Sequence, residues 1–284
     1  MSYIDVLKQS ATLSGNITCM GLDPKLEVLP KNMGLVEFFE ILFKKMVEEK
    51  LIPAAFKPNI GYYSALDNPR NGDFSGSRAL SKVLDMLDRY FPSIPVILDS
   101  KRGDIARSSL NYKIEAFDCW KCEATTVSPY MGTDSVSPFL VEGKGIYVLN
   151  RTSNPGGKDL QNLICENDLP LYLNVSQKIV EWSKDGLGIG AVVGATSMKE
   201  LEDISSYYSD KQIPLLIPGV GSQGGSATDV INSLNKTGYP LYLARINSSS
   251  GLTHPWKKGE APSDWLTQCI DAIRKLLEET GVAK

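Results

Sequence analysis

One short stretch of the chain carries charged side chains of alternating sign close together in sequence. The segment ILDSKRGDIARSS (97–109) contains Asp99, Lys101 and Asp104. Opposite charges about 4 Å apart attract by roughly 4 kcal/mol at an effective dielectric near 20, so alternating signs allow neighbouring groups to stay ionised. A lysine ammonium group held in such an array could oppose negative charge on a ligand and donate a proton.

The alternative interpretation of the charged segment is a surface cluster of ion pairs, which would add little stability. In an extended strand, residues two apart share a face, so Asp99 and Lys101 should point the same way and Ser100 the opposite way. The apolar run PVIL (95–98) leads directly into Asp99, which limits the access of this carboxylate to bulk water. We therefore favour a functional site over a surface cluster.

Eight short segments rich in β-branched and other apolar residues recur along the chain. Most are continuous apolar runs, which is typical of parallel strands covered on both faces. The predicted strands are residues 17–23, 54–59, 95–101, 124–129, 145–151, 189–195, 214–220 and 241–246. Stretches with helical periodicity separate them, and the clearest are 35–50 and 77–90.

This alternation predicts one α/β domain over residues 1–284, folded as a single (β/α)8 TIM barrel. A doubly wound open sheet is the alternative, because periodicity alone does not distinguish the two. The barrel is favoured because polar residues follow the carboxyl ends of several predicted strands, and those ends meet at one mouth in a barrel. These residues are Asp23, Lys57, Asn59, Asp99, Lys101, Arg151 and Arg245.

Composition argues against nucleic-acid or membrane partners. The net charge is −3, the isoelectric point is about 5.4, and no run of Lys or Arg is longer than a pair. The five cysteines are an odd number in a chain too long to need disulfides, which favours reduced thiols and a cytoplasmic location. The start of the sequence does not resemble a signal peptide, and no apolar stretch approaches 18 residues.

The charged segments resemble the signature of the orotidine 5'-phosphate decarboxylase family. The pattern Asp99-x-Lys101-x-x-Asp104-Ile105, preceded by Lys57 in FKPN, is similar to the longer, second type of that family. Other family motifs follow in order over almost the whole chain, and the ordered set is highly specific. They are GLDP (21–24), SPYMGTDS (128–135), RTSNPG (151–156), PGVGSQGG (218–225) and ARINSSSG (244–251).

The resemblance implies a lyase without metal or cofactor that converts orotidine 5'-phosphate to uridine 5'-phosphate and CO2 in pyrimidine biosynthesis. The implied catalytic residues are Lys57, Asp99, Lys101 and Asp104. Lys101 would protonate C6 of the pyrimidine. The family is also expected to form a homodimer in which Asp104 and Ile105 reach the neighbouring subunit's site. Ser108 stands where the family usually has a threonine and would contact substrate across the same interface.

The resemblance further implies how the rest of the nucleotide is bound. Loops after strands seven and eight of a barrel often bind phosphate, because glycines there expose backbone N–H groups. The implied substrate-binding residues are Pro218, Gly219, Gln223 and Arg245 around the phosphate, Asp23 and Asn59 at the ribose, and Ser153 at the pyrimidine edge. The simpler alternative is that some of these glycines, such as Gly224 and Gly225, only shape a turn.

Two other functions stay open for the same residues. Related barrel enzymes that act on sugar phosphates share the D-x-K-x-x-D element but use Mg²⁺, and they are expected to carry a metal-binding acid where this chain has Lys57. A non-catalytic barrel that binds a phosphate ligand is the second alternative. The pair Cys119 and Cys122 has redox spacing, but we interpret both as helix residues, and His254, the only histidine, is placed in a loop without a role.

Overall fold

A computed structural model describes residues 1–183, 188–221 and 224–282 and contains an eight-stranded parallel sheet. The strands are β1 (Thr18–Leu22), β2 (Ala55–Pro58), β3 (Ile97–Arg102), β4 (Ala124–Val127), β5 (Gly145–Arg151), β6 (Gly188–Val193), β7 (Leu215–Ile217) and β8 (Ala244–Ser248). Every predicted strand has a counterpart, and the predicted ends lie within three residues of the observed ones.

Helices follow the strands and cover the outside of the sheet. They are α1 (Tyr3–Ser14), α2 (Leu35–Glu48), α3 (Ile60–Ser64), α4 (Ser75–Tyr90), α5 (Ala106–Ile114), α6 (Thr133–Val136), α7 (Lys158–Gln161), α8 (Leu171–Trp182), α9 (Met198–Tyr208), α10 (Ala227–Lys236), α11 (Ser250–Thr253) and α12 (Trp265–Glu279). A π-helical segment, Glu115–Cys119, continues α5. It includes Cys119, whereas Cys122 lies beyond it, so the prediction that both cysteines are helical is wrong for Cys122.

The sheet closes on itself and forms the predicted (β/α)8 barrel. Its strand order is β2-β1-β8-β7-β6-β5-β4-β3, and the two edge strands meet through a backbone bond from Phe56 N to Pro95 O of 3.0 Å. A further parallel bridge joins Asn59 to Asp99. This closure rules out the open doubly wound sheet. It also explains the continuous apolar runs, because each strand faces the barrel interior on one side and a helix on the other.

Aromatic packing fixes α2 and α4 against the barrel wall. The buried face of α2 includes Phe39 and Phe43, as its periodicity predicts. The ring of Phe43 lies 5.8 Å from that of Phe56 on β2 and 5.6 Å from that of Phe91, which follows α4. Burial of each such side chain is worth about 1.5–3 kcal/mol, so this cluster holds β2, and with it Lys57, in place.

Helix α1 closes the end of the barrel opposite the mouth. The hydroxyl of Tyr3 donates to that of Tyr147 at 3.1 Å. The close approach of α1 requires glycine at the first residues of β5 and β6, since a Cβ at Gly145 would lie 2.3 Å from the Tyr3 ring and one at Gly188 2.5 Å from Tyr3 Cβ. The amino ends of these strands are therefore sealed.

Strand β8 begins three residues later than the sequence predicts. The apolar triplet Leu241–Leu243 forms a 3-10 turn after Pro240, with Leu243 N donating to Pro240 O at 3.0 Å. Arg245 is therefore the second residue of β8 and lies near the sealed end of the barrel. Among the described residues, no helix is long and apolar enough to cross a membrane.

Candidate active site

A cavity of about 650 Å³ lies at the mouth of the barrel, where the carboxyl ends of the strands converge. Its volume falls within the range of roughly 300–1,000 Å³ that is typical of small-molecule sites. The predicted site residues that line it are Asp23, Lys57, Asn59, Asp99, Lys101, Ser153, Pro218 and Gly219. The barrel thus brings together side chains that are up to 196 positions apart in the sequence, as Asp23 and Gly219 are.

The centre of the cavity wall is an Asp99 carboxylate held between two lysines. Lys57 Nζ lies 2.7 Å from Asp99 Oδ2, and Lys101 Nζ lies 2.6 Å from Asp99 Oδ1. The side chains of Lys57 and Asp99 are only 4% and 8% exposed, whereas that of Lys101 is 48% exposed. All three line the cavity, and Lys101 is the one most exposed to a ligand.

Electrostatics keeps the buried pair ionised. Burial would raise the pKa of Asp99, but the charges of Lys57 and Lys101 outweigh it and hold that pKa well below its usual value. Burial would lower the pKa of Lys57, but the negative charges of Asp99 and Asp23 outweigh it and raise that pKa. Lys57 is thus a fixed cation near neutral pH, and it is unsuited to act as a general base.

Strand β3 is irregular at the point where it carries the charged residues. Residues 99–101 of β3 stand opposite one residue of β4, Thr126, and the flanking pairs in register are Leu98–Thr125 and Arg102–Val127. The backbone of Lys101 adopts φ 46°, a left-handed conformation that is uncommon for residues other than glycine. The ladder is therefore interrupted by a bulge, but Asp99 and Lys101 still face the cavity together, as expected, and Ser100 does not line it.

Asp23 and Asn59 lie on the β1 and β2 side of the cavity. Asn59 Oδ1 accepts from Gly61 N at 3.0 Å and so caps the amino end of α3, and the Asn59 backbone pairs with that of Asp99. Asp23 Oδ1 is buried and has no hydrogen-bond partner in the described part of the chain. A buried acceptor left unpaired is costly, so this oxygen is suited to accept from a ligand hydroxyl.

The glycine-rich loop after β7 is shaped by its own hydrogen bonds. Gly219, Gly221 and Gly224 all have positive φ, at 99°, 85° and 91°. Gly221 N donates to Gly225 O at 2.9 Å, and Gly225 N donates back to Gly219 O at 3.0 Å. Gly224 N also donates to Gly221 O at 3.0 Å, so Gly224 and Gly225 form a turn, as the simpler alternative held. Gly219 lines the cavity, whereas Gln223 lies outside the described residues.

A buried ion pair orders the loop that carries Ser153. Arg151 and Glu200 lie 3.3 Å apart, and Arg151 Nη1 also donates to Thr152 O at 2.5 Å. Gln161 Oε1 accepts from Thr152 N at 2.9 Å. Arg151 ends β5 at the mouth of the barrel, as expected, but it binds the loop backbone beside Ser153 and does not line the cavity.

The expected position of Arg245 at the phosphate is wrong. Its side chain is fully buried at the sealed end of the barrel and donates to Leu7 O at 2.7 Å and Ser10 Oγ at 2.6 Å, both on α1. It also donates to Ala244 O at 2.7 Å. The cause is the later start of β8, which turns a residue expected at the carboxyl end of a strand into one at the amino end.

Three further predicted residues, Asp104, Ile105 and Ser108, do not line the cavity of this chain. Asp104 Oδ1 accepts from Ile105 N at 2.7 Å, and the Ile105 side chain is 58% exposed. Conversely, the cavity wall includes Thr126, which the sequence did not single out, and His254, which the sequence analysis left without a role. His254 follows α11 and is buried, and its Nε2 has no hydrogen-bond partner in the described part of the chain.

The fold and the site define a barrel enzyme whose lysine–aspartate cluster faces a mouth large enough for a small anionic ligand. A sequence model described as the orotidine 5'-phosphate decarboxylase / HUMPS family matches residues 50–238. The Bordetella pertussis protein "Orotidine 5'-phosphate decarboxylase" is 35% identical over 289 aligned positions that cover 100% of both chains. This chain belongs to the orotidine 5'-phosphate decarboxylase / HUMPS family.

Solved structures agree with this assignment. The Leishmania donovani OMP decarboxylase has a TM-score of 0.75 and 30% identity, and the match covers 99% of each chain. The Leishmania donovani UMP synthase has a TM-score of 0.77 and 31% identity, and there the match covers 97% of this chain but 56% of the other. The barrel described here thus corresponds to about half of that longer enzyme.

Proposed function

We propose that this protein decarboxylates orotidine 5'-phosphate to uridine 5'-phosphate in pyrimidine biosynthesis, with residues 1–284 acting as one catalytic domain in the cytoplasm. The observation that carries this proposal is the half-exposed Lys101 ammonium, which is anchored on the buried, ionised Asp99 at the wall of the cavity. The family membership and the full-length similarity to decarboxylases support the choice of substrate.

In the proposed reaction the bond between C6 of the pyrimidine and its carboxylate breaks, and CO2 leaves. The electron pair stays on C6, which gains carbanion character, and a proton from Lys101 Nζ then forms the new C6–H bond. An ammonium group already fixed beside this carbon stabilises the developing charge without reorganisation. Lys57 and Asp99 hold Lys101 in place, since Asp99 bonds both amines.

One charge pair is too weak to account for the catalysis. An ion pair at about 4 Å contributes roughly 4 kcal/mol at an effective dielectric near 20, whereas the slowest uncatalysed reactions need about 20 kcal/mol or more of barrier reduction. Binding energy from the ribose and the phosphate must therefore be used in the transition state as well. Asp23 Oδ1 is the unpaired acceptor available to a ribose hydroxyl, and Ser153 is available to the pyrimidine edge.

The phosphate needs counter-charge and donors other than Arg245. The side of the cavity between β7 and β8 is lined by Gly219 and by Ser248, Ser249 and Ser250. Lys25, in the loop after β1, also lines the cavity. We place the phosphate against these groups, because Lys57 and Lys101 are already engaged by Asp99.

The proposed enzyme is a homodimer in which Asp104 completes the partner's site. In support of this, the surface around Asp104 carries several exposed apolar side chains, which single chains rarely leave together. They are Ile105, Leu110, Ile114, Tyr130 and Met131. In this arrangement Ile105 and Ser108 would contact the nucleotide bound by the other subunit.

The test is the loss of orotidine 5'-phosphate absorbance, followed with and without EDTA for the wild type and Lys101→Ala. We expect full wild-type activity in EDTA, and at least about a 10³-fold lower kcat for Lys101→Ala with nucleotide binding retained. Activity that a chelator abolishes would favour the Mg²⁺-dependent sugar-phosphate relatives. Binding without turnover by the wild type would favour a non-catalytic barrel.

A further inference from the structure

The bulge in β3 leaves two backbone N–H groups without ladder partners at the catalytic lysine. Three residues of β3 stand opposite one residue of β4, so the main-chain ladder cannot serve them all. The N–H groups of Ser100 and Lys101 both point to the side chain of Thr126, at 3.0 Å and 2.9 Å from its Oγ1. A side-chain hydroxyl therefore replaces a backbone acceptor at this point.

The same hydroxyl also holds the catalytic carboxylate. Thr126 Oγ1 donates to Asp99 Oδ1 at 2.9 Å, and this oxygen is the one that bonds Lys101 Nζ. A threonine hydroxyl has one proton and two lone pairs, so these three contacts use its full hydrogen-bonding capacity. Thr126 is buried at the cavity wall, with only 1% of its surface exposed, so water has little access to these contacts.

We propose that Thr126 is the positioning residue of the Asp99–Lys101 pair, because its hydroxyl maintains the left-handed backbone of Lys101 and orients the carboxylate that aims the lysine amine. A left-handed conformation at a residue other than glycine persists only where its surroundings enforce it. Thr126 acts through Lys101, so this inference rests on the proposed role of Lys101 as proton donor.

The adjacent residue on β4 offers a matched control. Thr125 is also fully buried and makes two hydrogen bonds, donating to Leu98 O at 2.9 Å and pairing with Ser100 Oγ at 2.8 Å. It does not line the cavity. Its removal should therefore disturb the packing between β3 and β4 without acting on the Asp99 carboxylate.

The experiment compares kcat, KM and melting temperature for Thr126→Val, Thr126→Ala, Thr126→Ser and Thr125→Val. A displacement of the amine by about 1 Å can cost roughly 100-fold, so we expect kcat to fall at least about 100-fold in Thr126→Val and Thr126→Ala, with KM within about threefold. Thr126→Ser, which restores the hydroxyl, should recover kcat to within about fivefold. Thr125→Val should lower the melting temperature yet keep kcat within about threefold.

Three outcomes would overturn the proposal. They are a kcat near the wild-type value in Thr126→Val, equal kcat values in Thr126→Ser and Thr126→Ala, and a kcat loss in Thr125→Val as large as that in Thr126→Val. If Thr126→Val does not fold, the serine–alanine comparison still isolates the hydroxyl. A crystal structure of Thr126→Ala gives a readout independent of turnover, because Lys101 should lose its positive φ. An inactive wild type would refute the proposed function. The crystal structure of Thr126→Ala would still show whether Thr126 positions the backbone of Lys101.

Discussion

Substitution of Arg245 separates the structural role of this residue from the phosphate-binding role that the sequence suggested. Arg245→Met keeps the apolar stem and removes a guanidinium group that donates four hydrogen bonds. The acceptors are the carbonyl oxygens of Tyr242, Ala244 and Leu7, together with Ser10 Oγ. The change should therefore weaken the attachment of α1 to the sealed end of the barrel, opposite the mouth that Lys101 lines.

The expected loss of folding free energy follows from these four hydrogen bonds. Each buried acceptor left unpaired costs about 1–3 kcal/mol, and Leu7 O retains a bond from Ser10 Oγ. Part of the loss is offset because a buried cation is removed, and burial already lowers the pKa of Arg245. A net loss of about 3 kcal/mol should lower the melting temperature by roughly 6–12 °C, at about 2–4 °C per kcal/mol for a chain of this size.

The assay pairs thermal unfolding with steady-state kinetics at a temperature well below the transition. We expect kcat and KM of Arg245→Met to stay within about threefold of the wild type. Ser10→Ala, which removes one of the acceptors, is the matched control and should lose about 1 kcal/mol without a kinetic effect. A KM raised tenfold or more at an unchanged melting temperature would refute this structural role and indicate that Arg245 binds the phosphate.

Three further predictions concern titration and assembly. Burial, and to a smaller extent the charge of Lys25, lower the pKa of His254 in the folded protein. The stability that neutral His254 contributes is therefore complete above the unfolded pKa near 6.5 and is lost as pH falls through the folded pKa. The imidazole NMR signal of this one histidine should titrate below pH 6.5, and His254→Gln should lose less stability than the wild type between pH 7 and 5. Lys57→Met removes a cation that depresses the pKa of Asp99, so that pKa should move closer to its unfolded value and less stability should be lost as pH falls below about 4 than in the wild type. An acid loss in urea unfolding as large as that of the wild type would contradict this. Mixed Asp104→Ala and Lys101→Ala subunits should regain about a quarter of wild-type activity through hybrid dimers with one intact site, and no gain over the separate variants would argue against a shared site.

Much of the fold could be predicted from the sequence, because burial on both faces leaves a local signal in each strand. The run GIYVLNR forms β5 with the predicted bounds, 145–151, and the spacing of apolar residues in α2 predicted its buried face. Strand β8 was displaced because an apolar triplet in a 3-10 turn has the same composition as a strand. That small displacement reversed the interpretation of Arg245, since the two ends of a barrel strand face opposite ends of the molecule.

By itself the sequence determined the charged residues of the site, their order along the chain and the family to which they point. Asp99 and Lys101 were identified from their types and spacing, and Lys57 joined them through the family resemblance. Only the tertiary structure decided that Asp99 binds both amines, that Thr126 supports them from another strand, and that Arg245 lies away from the mouth. The physical reason is that these facts depend on register between strands and on closure of the barrel, which join residues far apart in sequence and leave no local pattern.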